Sequence, residues 1–384
     1  MTITNAETND AAETIQAQLD PSGAGSIDRE IDGAIVGAGL AGLICAQQLQ
    51  QWGYQVISLE KSRGLGGRLA TRRLADTCAD HGVRAMTGQG SLTQQLIATL
   101  VQREPNYYSA PAGLTTVAKF LAQGLSIWRE QRVISIAPDV QGWRLQLESR
   151  DGLISSVPAK FLILAIPAPQ ASALLAAMPS PAAMVADLAW NRLRSQVQSV
   201  EFDPCITVIA TYAAEYQTQL RQLPWQAVKF PDSEAVAWLS FETHKRSSSH
   251  LTPVVVQSHA EFARQYWDAA DLKEVGYQLL AQTTRLLAGL DWLNQPSELQ
   301  MHRWRYGFVR SGLDCSHVAT TDPLPLVCCG DWCRDRDANL GDESSIEAAL
   351  RSGLAAANQI RAWGNLPVEG SPDQQFGRLL RSIS

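Results

Sequence analysis

The chain has 384 residues, with 32 Lys and Arg against 38 Asp and Glu, a formal charge of −6. At 45% hydrophobic and 18% charged residues it reads as a folded soluble protein, long enough for two domains of the usual ~100–200 residues and a sizeable core. The acidic balance argues against nucleic acid as a main partner. The strongest apolar run, Phe161–Ile166, falls far short of the ~20 residues that span a bilayer.

Residues 1–30 hold no aromatic side chain and are rich in Ala, Thr, Gln, Asp and Glu, which predicts a flexible tail with at most a nascent helix around Ala11–Leu19. The amino terminus lacks the basic-then-apolar pattern of a secretory signal. An odd set of seven cysteines is scattered apart from Cys328, Cys329 and Cys333, so the expectation is a cytoplasmic protein with reduced thiols. Folding is predicted to start at Ile31: a strand over Ile31–Val36, a glycine turn, a helix over Leu40–Trp52, and a strand over Tyr54–Leu59 ending at Glu60. Further strands are predicted at Gln131–Ile136, Trp143–Leu147 and Phe161–Ile166, with turns at Gly142 and Asp151-Gly152. The stretch 171–295 reads as an antiparallel sheet with helices on one side: strands at Ile206–Tyr212, Ala235–Phe241 and Pro253–His259, then a helix over Ala269–Leu290. A strand over Leu324–Cys329 leads into Gly330-Asp331. A final helix over Ser345–Trp363 puts Ile346, Leu350, Gly353, Leu354, Ala357 and Ile360 on one face.

The first chemical motif is Gly37-Ala38-Gly39-Leu40-Ala41-Gly42. It follows a strand, opens a helix, and precedes Glu60, the acid at the end of the next strand, by eighteen residues. That context is the dinucleotide fingerprint: a tight turn at Gly37, close pyrophosphate approach at Gly39, helix–strand packing at Gly42, and Glu60 on the ribose hydroxyls. A purely structural βα turn is the alternative, and the motif alone does not choose flavin over nicotinamide. Next comes Lys61-Ser62-Arg63-Gly64-Leu65-Gly66-Gly67-Arg68-Leu69-Ala70-Thr71-Arg72-Arg73, whose glycines and arginines can wrap a phosphate, the alternative being a solvated surface loop. Cys328, Cys329 and Cys333 lack the paired spacing of a zinc site and read as small apolar residues, so no metal is expected.

The run from Glu60 to Arg72, with Ala79-Asp80-His81-Gly82, Pro111-Ala112-Gly113-Leu114, Ala165-Ile166-Pro167-Ala168-Pro169-Gln170, His302-Arg303-Trp304-Arg305-Tyr306, Gly330-Asp331-Trp332, Ile346-Glu347-Ala348-Ala349 and Ser352-Gly353-Leu354-Ala355, resembles the renalase family within the amine-oxidase-like flavoproteins. The matches span about 31–360. The resemblance implies an α/β fold, a Rossmann-like FAD-binding domain interleaved with an α+β substrate domain on a mostly antiparallel sheet. Expected segments are a tail (1–30), an FAD-binding domain (31–90, 111–170 and 296–365), a substrate domain (91–110 and 171–295) and a C-terminal tail (366–384). It implies non-covalent FAD held by Gly37 to Gly42, Glu60, Lys61, Gly66, Gly67, Arg68, Thr71, His81, Gly82, the main chain at Val133, Gly330, Asp331, Ile346 and Glu347. The alternatives are a local backbone cap for Asp331, a buried strand residue for Val133, and a hydrogen-bonded structural histidine for His81. His81, Arg303, Trp304, Arg305 and Tyr306 are the substrate-site candidates; the strand that bears the last four reads equally as a brace between domains.

The implied activity is oxidation of reduced, isomeric nicotinamide dinucleotides by hydride transfer to the flavin, with oxygen reoxidising it to give hydrogen peroxide; no acid or base is obligatory for such a substrate. An amine or other small-molecule oxidase is the alternative, against which the arginines at 303 and 305 argue. A flavin-binding docking or sensor protein is the third reading. Two departures from the family bear on the substrate: Val83-Arg84-Ala85-Met86 stands where the family has a small residue, Gln and two aromatics, and the charged 333–345 loop is longer.

Overall fold

The computed structural model describes residues 31–98, 101–104, 107–178, 188–246, 249–334 and 345–383. The expected tail and most of the 333–345 loop lie outside these residues. The apolar run after Ile31 becomes β1 (Gly33–Val36), buried at all four positions, as a central parallel strand must be. It pairs in parallel with β2 (Val56–Glu60) on one side and with Phe161–Leu164 on the other. Helix α1 (Leu40–Gln51) makes the crossover between β1 and β2. The complete sheet has six strands in the order 318–320, 326–328, 161–164, β1, β2, 127–129, with only the first pair antiparallel.

One face of this sheet is covered by α1 and α2 (Ser345–Trp363). They cross so closely that a Cβ on Gly353 would lie 2.4 Å from the Ala41 carbonyl oxygen. The other face packs Val36, Leu59 and Leu164 against Trp143, Leu145 and Leu175, which come from a three-stranded antiparallel sheet (131–139, 142–149, 154–159) and the 168–177 helix. After β2 the chain forms a short hairpin, β3 (Thr71–Arg73) with β4 (Cys78–Asp80).

The second sheet is antiparallel throughout. Its strands are β5 (Glu201–Ala213), β6 (Ala227–Lys229), β7 (Val236–Phe241), β8 (Leu251–Ser258) and β9 (Glu298–Ser311), in the order β6-β7-β8-β5-β9. Ile206, Val208, Ala210 and Tyr212 project to one side, against Val275, Leu279 and Leu280 of the Leu272–Leu286 helix. That helix is shorter than the expected 269–290 because the Asp271 carboxylate caps it, accepting the N–H groups of Lys273 and Glu274. The β3–β4 hairpin lies on the other side of the sheet, where Ala79 packs on Ile209 and Val255.

Three segment boundaries differ from expectation. Residues 298–311, expected with the FAD-binding domain, pair with β5 in the antiparallel sheet. Leu92 and Leu96 of the 91–97 helix, expected in the substrate domain, are buried with Leu43 and Leu350 in the core under α1 and α2. The expected C-terminal tail contains a helix, Pro372–Ile383, that buries Phe376 and Leu379 in the same core.

The hairpin is fixed to the antiparallel sheet by buried charge. Arg246 pairs with Asp80 (2.7 Å) and Glu242 (3.2 Å), and Lys245 with Glu242 (2.5 Å). The Asp80 N–H donates to Glu242 at 3.0 Å. Burial pushes the Asp80 carboxyl up, but Lys245 and Arg246 outweigh it and hold it below its usual range. Replacing Arg246 with Met takes the close cation from buried Asp80 and one of two from buried Glu242. We expect a loss of ~3–5 kcal/mol in chemical denaturation; a loss under ~1 kcal/mol would show that the network does not hold the hairpin.

Candidate cofactor and substrate site

The glycine turn is built by contact. Gly37 has φ +102°, and a Cβ there would lie 2.5 Å from the Ala165 carbonyl; one on Gly42 would lie 2.0 Å from the Gly37 carbonyl. At Gly39, which precedes α1 and gives it no side-chain cap, a Cβ would meet no protein atom within 4 Å. A side chain at Gly39 would therefore project into open space before the first turn of α1, with Leu40 and Ala41, the space that a bound diphosphate would need. Glu60 stands at its edge, 8% exposed, with one carboxylate oxygen accepting the Ala38 N–H (2.9 Å) and the other the Ser62 N–H (2.8 Å). The second glycine segment folds over the first: the Gly66 N–H donates to the Ala38 carbonyl at 2.9 Å, and a Cβ on Gly67 would lie 3.8 Å from the Gly39 Cα.

Arg68 extends from this loop to Asp331 (2.6 Å) and to the Gly307 carbonyl (3.1 Å). Asp331 is 4% exposed, and its second oxygen, Oδ2, has no hydrogen-bond partner. Next to it the Gly330 N–H donates to Ser352 Oγ. An open cradle at Gly39, a fixed carboxylate at Glu60 and an unpartnered buried acceptor at Asp331 make a donor and acceptor set that fits a dinucleotide. Val133 brings its main chain to a register shift between Val133 and Ser135, and Lys61 is exposed.

Two expected cofactor side chains are committed elsewhere. The Thr71 hydroxyl donates to Asp80 (2.7 Å) and accepts the Thr115 N–H (3.1 Å). Glu347 is fully buried, and its carboxylate accepts the N–H (2.7 Å) and hydroxyl (2.8 Å) of Thr93 and pairs with Arg351 (2.7 Å). It satisfies the open amides of the 91–97 helix, leaving only its main chain, with that of Ile346, at the start of α2.

Residues 81–83 run beside the loop, the Val83 N–H donating to the Arg68 carbonyl at 2.7 Å. They cross the antiparallel sheet along one row, in which Trp238, Gln257, Thr207 and His302 are successive partners on β7, β8, β5 and β9. Trp304 Nε1 donates to the His81 carbonyl (2.9 Å), and Gln257 Nε2 to the carbonyls of His81 (3.3 Å) and Gly82 (2.8 Å). The rings of His81, His302 and Trp304 cluster: their centroids lie 5.1 Å (His81–His302), 5.5 Å (His81–Trp304) and 4.2 Å (His302–Trp304) apart. His81 is 5% exposed and its Nδ1 has no partner. Burial, then His302 and Arg72, lower its pKa to about 4; burial and Arg72 also lower that of His302. Both imidazoles are neutral at pH 7.

His302 escaped the sequence reading, although its place two residues before Trp304 on a strand gives it the same face. By the same alternation Arg303 and Arg305 do not join this cluster. Arg303 donates to the Ala269 carbonyl at 2.7 Å and Arg305 stacks over Trp267 at 5.5 Å, both on the helix-bearing side. Past a register shift between Asp203 and Cys205, Tyr306 packs at 5.8 Å on Phe202, the ring over which Arg68 sits. Among the described residues no His, Cys, Asp and Glu group is arranged to hold a metal ion.

A family model described as "Flavin containing amine oxidoreductase" matches residues 101–361. The chain belongs to that family. Residues 35–100, which carry both glycine segments, match a model of an NAD(P)-binding Rossmann-like domain. The cofactor of this flavin amine oxidoreductase is FAD. A cyclohexylamine oxidase from Brevibacterium oxydans IH-35A has the same fold, with TM-score 0.59 and 12% identity over 88% of this chain and 100% of that one. So does a wild-type putrescine oxidase bound to putrescine (TM-score 0.56, 14% identity, 87% and 99%). A protein from Drosophila melanogaster described as a possible lysine-specific histone demethylase 1 is 46% identical over 54 residues, 14% of this chain and only 6% of that one. No helix among the described residues is long and apolar enough to cross a membrane.

Gly39→Ala places its methyl in open space, so the flavin-free protein keeps its denaturation midpoint while FAD binds roughly tenfold more weakly or worse, ~1.4 kcal/mol, read from bound-flavin absorbance. Unaltered flavin content would exclude Gly39 from the cradle. Because His81 titrates near 4 when folded and near 6.5 when unfolded, the unfolded chain takes up the proton first. Stability therefore falls as pH drops from about 6.5 to about 4, and His81→Asn flattens part of that slope in denaturation series run across the window.

Proposed function

We propose that this flavoprotein oxidises reduced, isomeric nicotinamide dinucleotides in the manner of the renalase family, with oxygen as the final acceptor. The observation that carries this reading is the charge of the face beside His81. Its two histidines are neutral, Arg72 lies close enough to depress both, and the buried carboxylates Asp80 and Glu242 are engaged by Arg246 and Lys245. Such a face suits an electron-rich, anionic donor better than an ammonium ion.

In this proposal the Gly37–Gly42 turn with Gly66 and Gly67 holds the cofactor diphosphate, and Glu60 the adenosine ribose. The Val133 main chain meets the adenine, and Asp331, oriented by Arg68, accepts hydroxyls of the ribityl chain. When bound, FAD supplies a two-electron acceptor that takes a hydride and passes the electrons to oxygen, giving hydrogen peroxide. The chain's own work is placement. His302 and Trp304 offer planar surfaces to a planar substrate, and Gln257 fixes the His81-Gly82 main chain against the sheet. A dihydropyridine carries its own labile hydride, so neutral His81 and His302 need move no proton. All seven cysteines are thiols, which accords with a cytoplasmic setting.

Amine oxidation is the second reading, favoured by the family and by the named activities of its structural neighbours. The two separate in an anaerobic absorption experiment. We expect the flavin band to bleach on adding reduced nicotinamide isomers and to persist with putrescine or cyclohexylamine. Bleaching by the amines alone would reverse the assignment. Failure of every donor to give turnover above free flavin would favour a docking or sensor role.

A further inference from the structure

Trp304 packs its ring with His81 and His302, and its N–H serves a second purpose. Nε1 donates to the His81 carbonyl at 2.9 Å, at the start of the segment that runs beside the cofactor loop. Two residues on, the Val83 N–H donates to the Arg68 carbonyl at 2.7 Å. The Arg68 guanidinium then reaches Asp331 through one terminal nitrogen (2.6 Å) and the Gly307 carbonyl through the other (3.1 Å). Gly307 lies three residues past Trp304 on β9, so these bonds close a ring on the strand where they began.

The ring has little slack. At Gly82, between its indole and loop ends, a Cβ would lie 2.2 Å from the Arg68 carbonyl oxygen and 3.0 Å from Trp304 Cζ2. The main chain there touches both neighbours, and a shift of the indole passes to the loop because no gap takes it up. Gln257 Nε2 holds the Gly82 carbonyl from β8 at 2.8 Å but reaches the His81 carbonyl only at 3.3 Å, so Trp304 is the closer donor at residue 81. At the far end stands Asp331, 4% exposed, with Oδ1 bonded to Arg68 and Oδ2 without a partner. Arg68 thereby decides which oxygen of that carboxylate is engaged and which is offered.

We propose that Trp304 is a positioning residue for the cofactor, acting through residues 81–83 and Arg68 on Asp331. The role takes from the proposed arrangement only that Asp331 meets a cofactor hydroxyl, and it is independent of which donor is oxidised. The test is the rate at which FAD leaves the holoenzyme, read from the fluorescence that released flavin regains. Trp304→Phe keeps a ring and removes the N–H, and is expected to speed release ~5–10-fold. Arg68→Gln speeds it at least as much, and the double variant is no faster than Arg68→Gln, because the link is already cut. Trp267→Phe makes the same chemical change on the helix-bearing side of the sheet and stays within ~2-fold. A merely structural loss would instead multiply with Arg68→Gln or appear equally in Trp267→Phe, and either result overturns the proposal. Unchanged release in Trp304→Phe overturns it while leaving Asp331 at the cofactor; unchanged release in Arg68→Gln removes Asp331 from the cofactor site as well. If Trp304→Phe does not fold, Gln257→Met, which removes the other donor to the 81–82 carbonyls, enters the same cycle with the same criteria.

Discussion

Asp80, Glu242, Lys245 and Arg246 form the constraint on which the substrate side depends. The β3–β4 hairpin touches the antiparallel sheet through a small apolar contact, Ala79 against Ile209 and Val255, too little to set its register. Charge sets it instead. Asp80 accepts from Arg246, from the Thr71 hydroxyl and from the Leu114 N–H, while Glu242 accepts from the Asp80 N–H and pairs with both cations. Each bond needs its partner at one distance and angle, so the network specifies one placement where an apolar patch would tolerate several. His81 is the next residue after Asp80, and its place beside His302 and Trp304 follows from that registration.

Placement of the cofactor follows from a different rule. β1, β2 and the 161–164 and 326–328 strands run parallel, so their carboxyl ends come out at one edge of the sheet. Gly37, Glu60, Ala165 and Gly330-Asp331 are spread over nearly three hundred residues, yet each stands at or just past one of those ends, where open α/β sheets hold their ligands. The Arg68–Asp331 pair and the closeness of Gly67 to Gly39 join the pieces laterally. The two sides then meet where Arg68 donates to the Gly307 carbonyl of β9 and through the short segment 81–83, which donates to the cofactor loop at the Arg68 carbonyl and receives donors from the sheet at Gln257 and Trp304.

What the sequence showed and what it hid divides along physical lines. β1, β2 and 161–164 were legible because parallel strands buried on both faces read as unbroken apolar runs, and the Ser345–Trp363 helix because one face repeats at helical spacing. The glycine fingerprint was legible because Gly37 and Gly42 answer contacts only glycine permits, at the spacing that a turn between strand and helix dictates. The β3–β4 hairpin was hidden: its strands have three residues each, and Thr71-Arg72-Arg73 has no apolar alternation. The 154–159 strand was hidden because three of its first residues are exposed. The sides that Arg303 and Arg305 take were hidden because alternation shows which residues share a face but not what that face meets; the pairing of Thr207 with His302 fixes it. The partner of the Glu347 side chain, the start of the 91–97 helix, was hidden because it lies more than 250 residues away in the chain.

A shared fold leaves the substrate open, since one scaffold carries different chemistries through the side chains at its site. The charge of those side chains is therefore the more direct guide. Two imidazoles kept neutral by burial and by Arg72 cannot neutralise an ammonium ion, and bringing that cation near Arg72 costs repulsion that water screens poorly in a partly buried site. On the proposed reading an anionic donor meets the opposite balance: it would be drawn to Arg72, and its negative charge would raise the depressed imidazole pKa values rather than oppose them. On the proposed reading, attraction and proton affinity would both follow substrate charge, with the sign set by Arg72, which the hairpin carries.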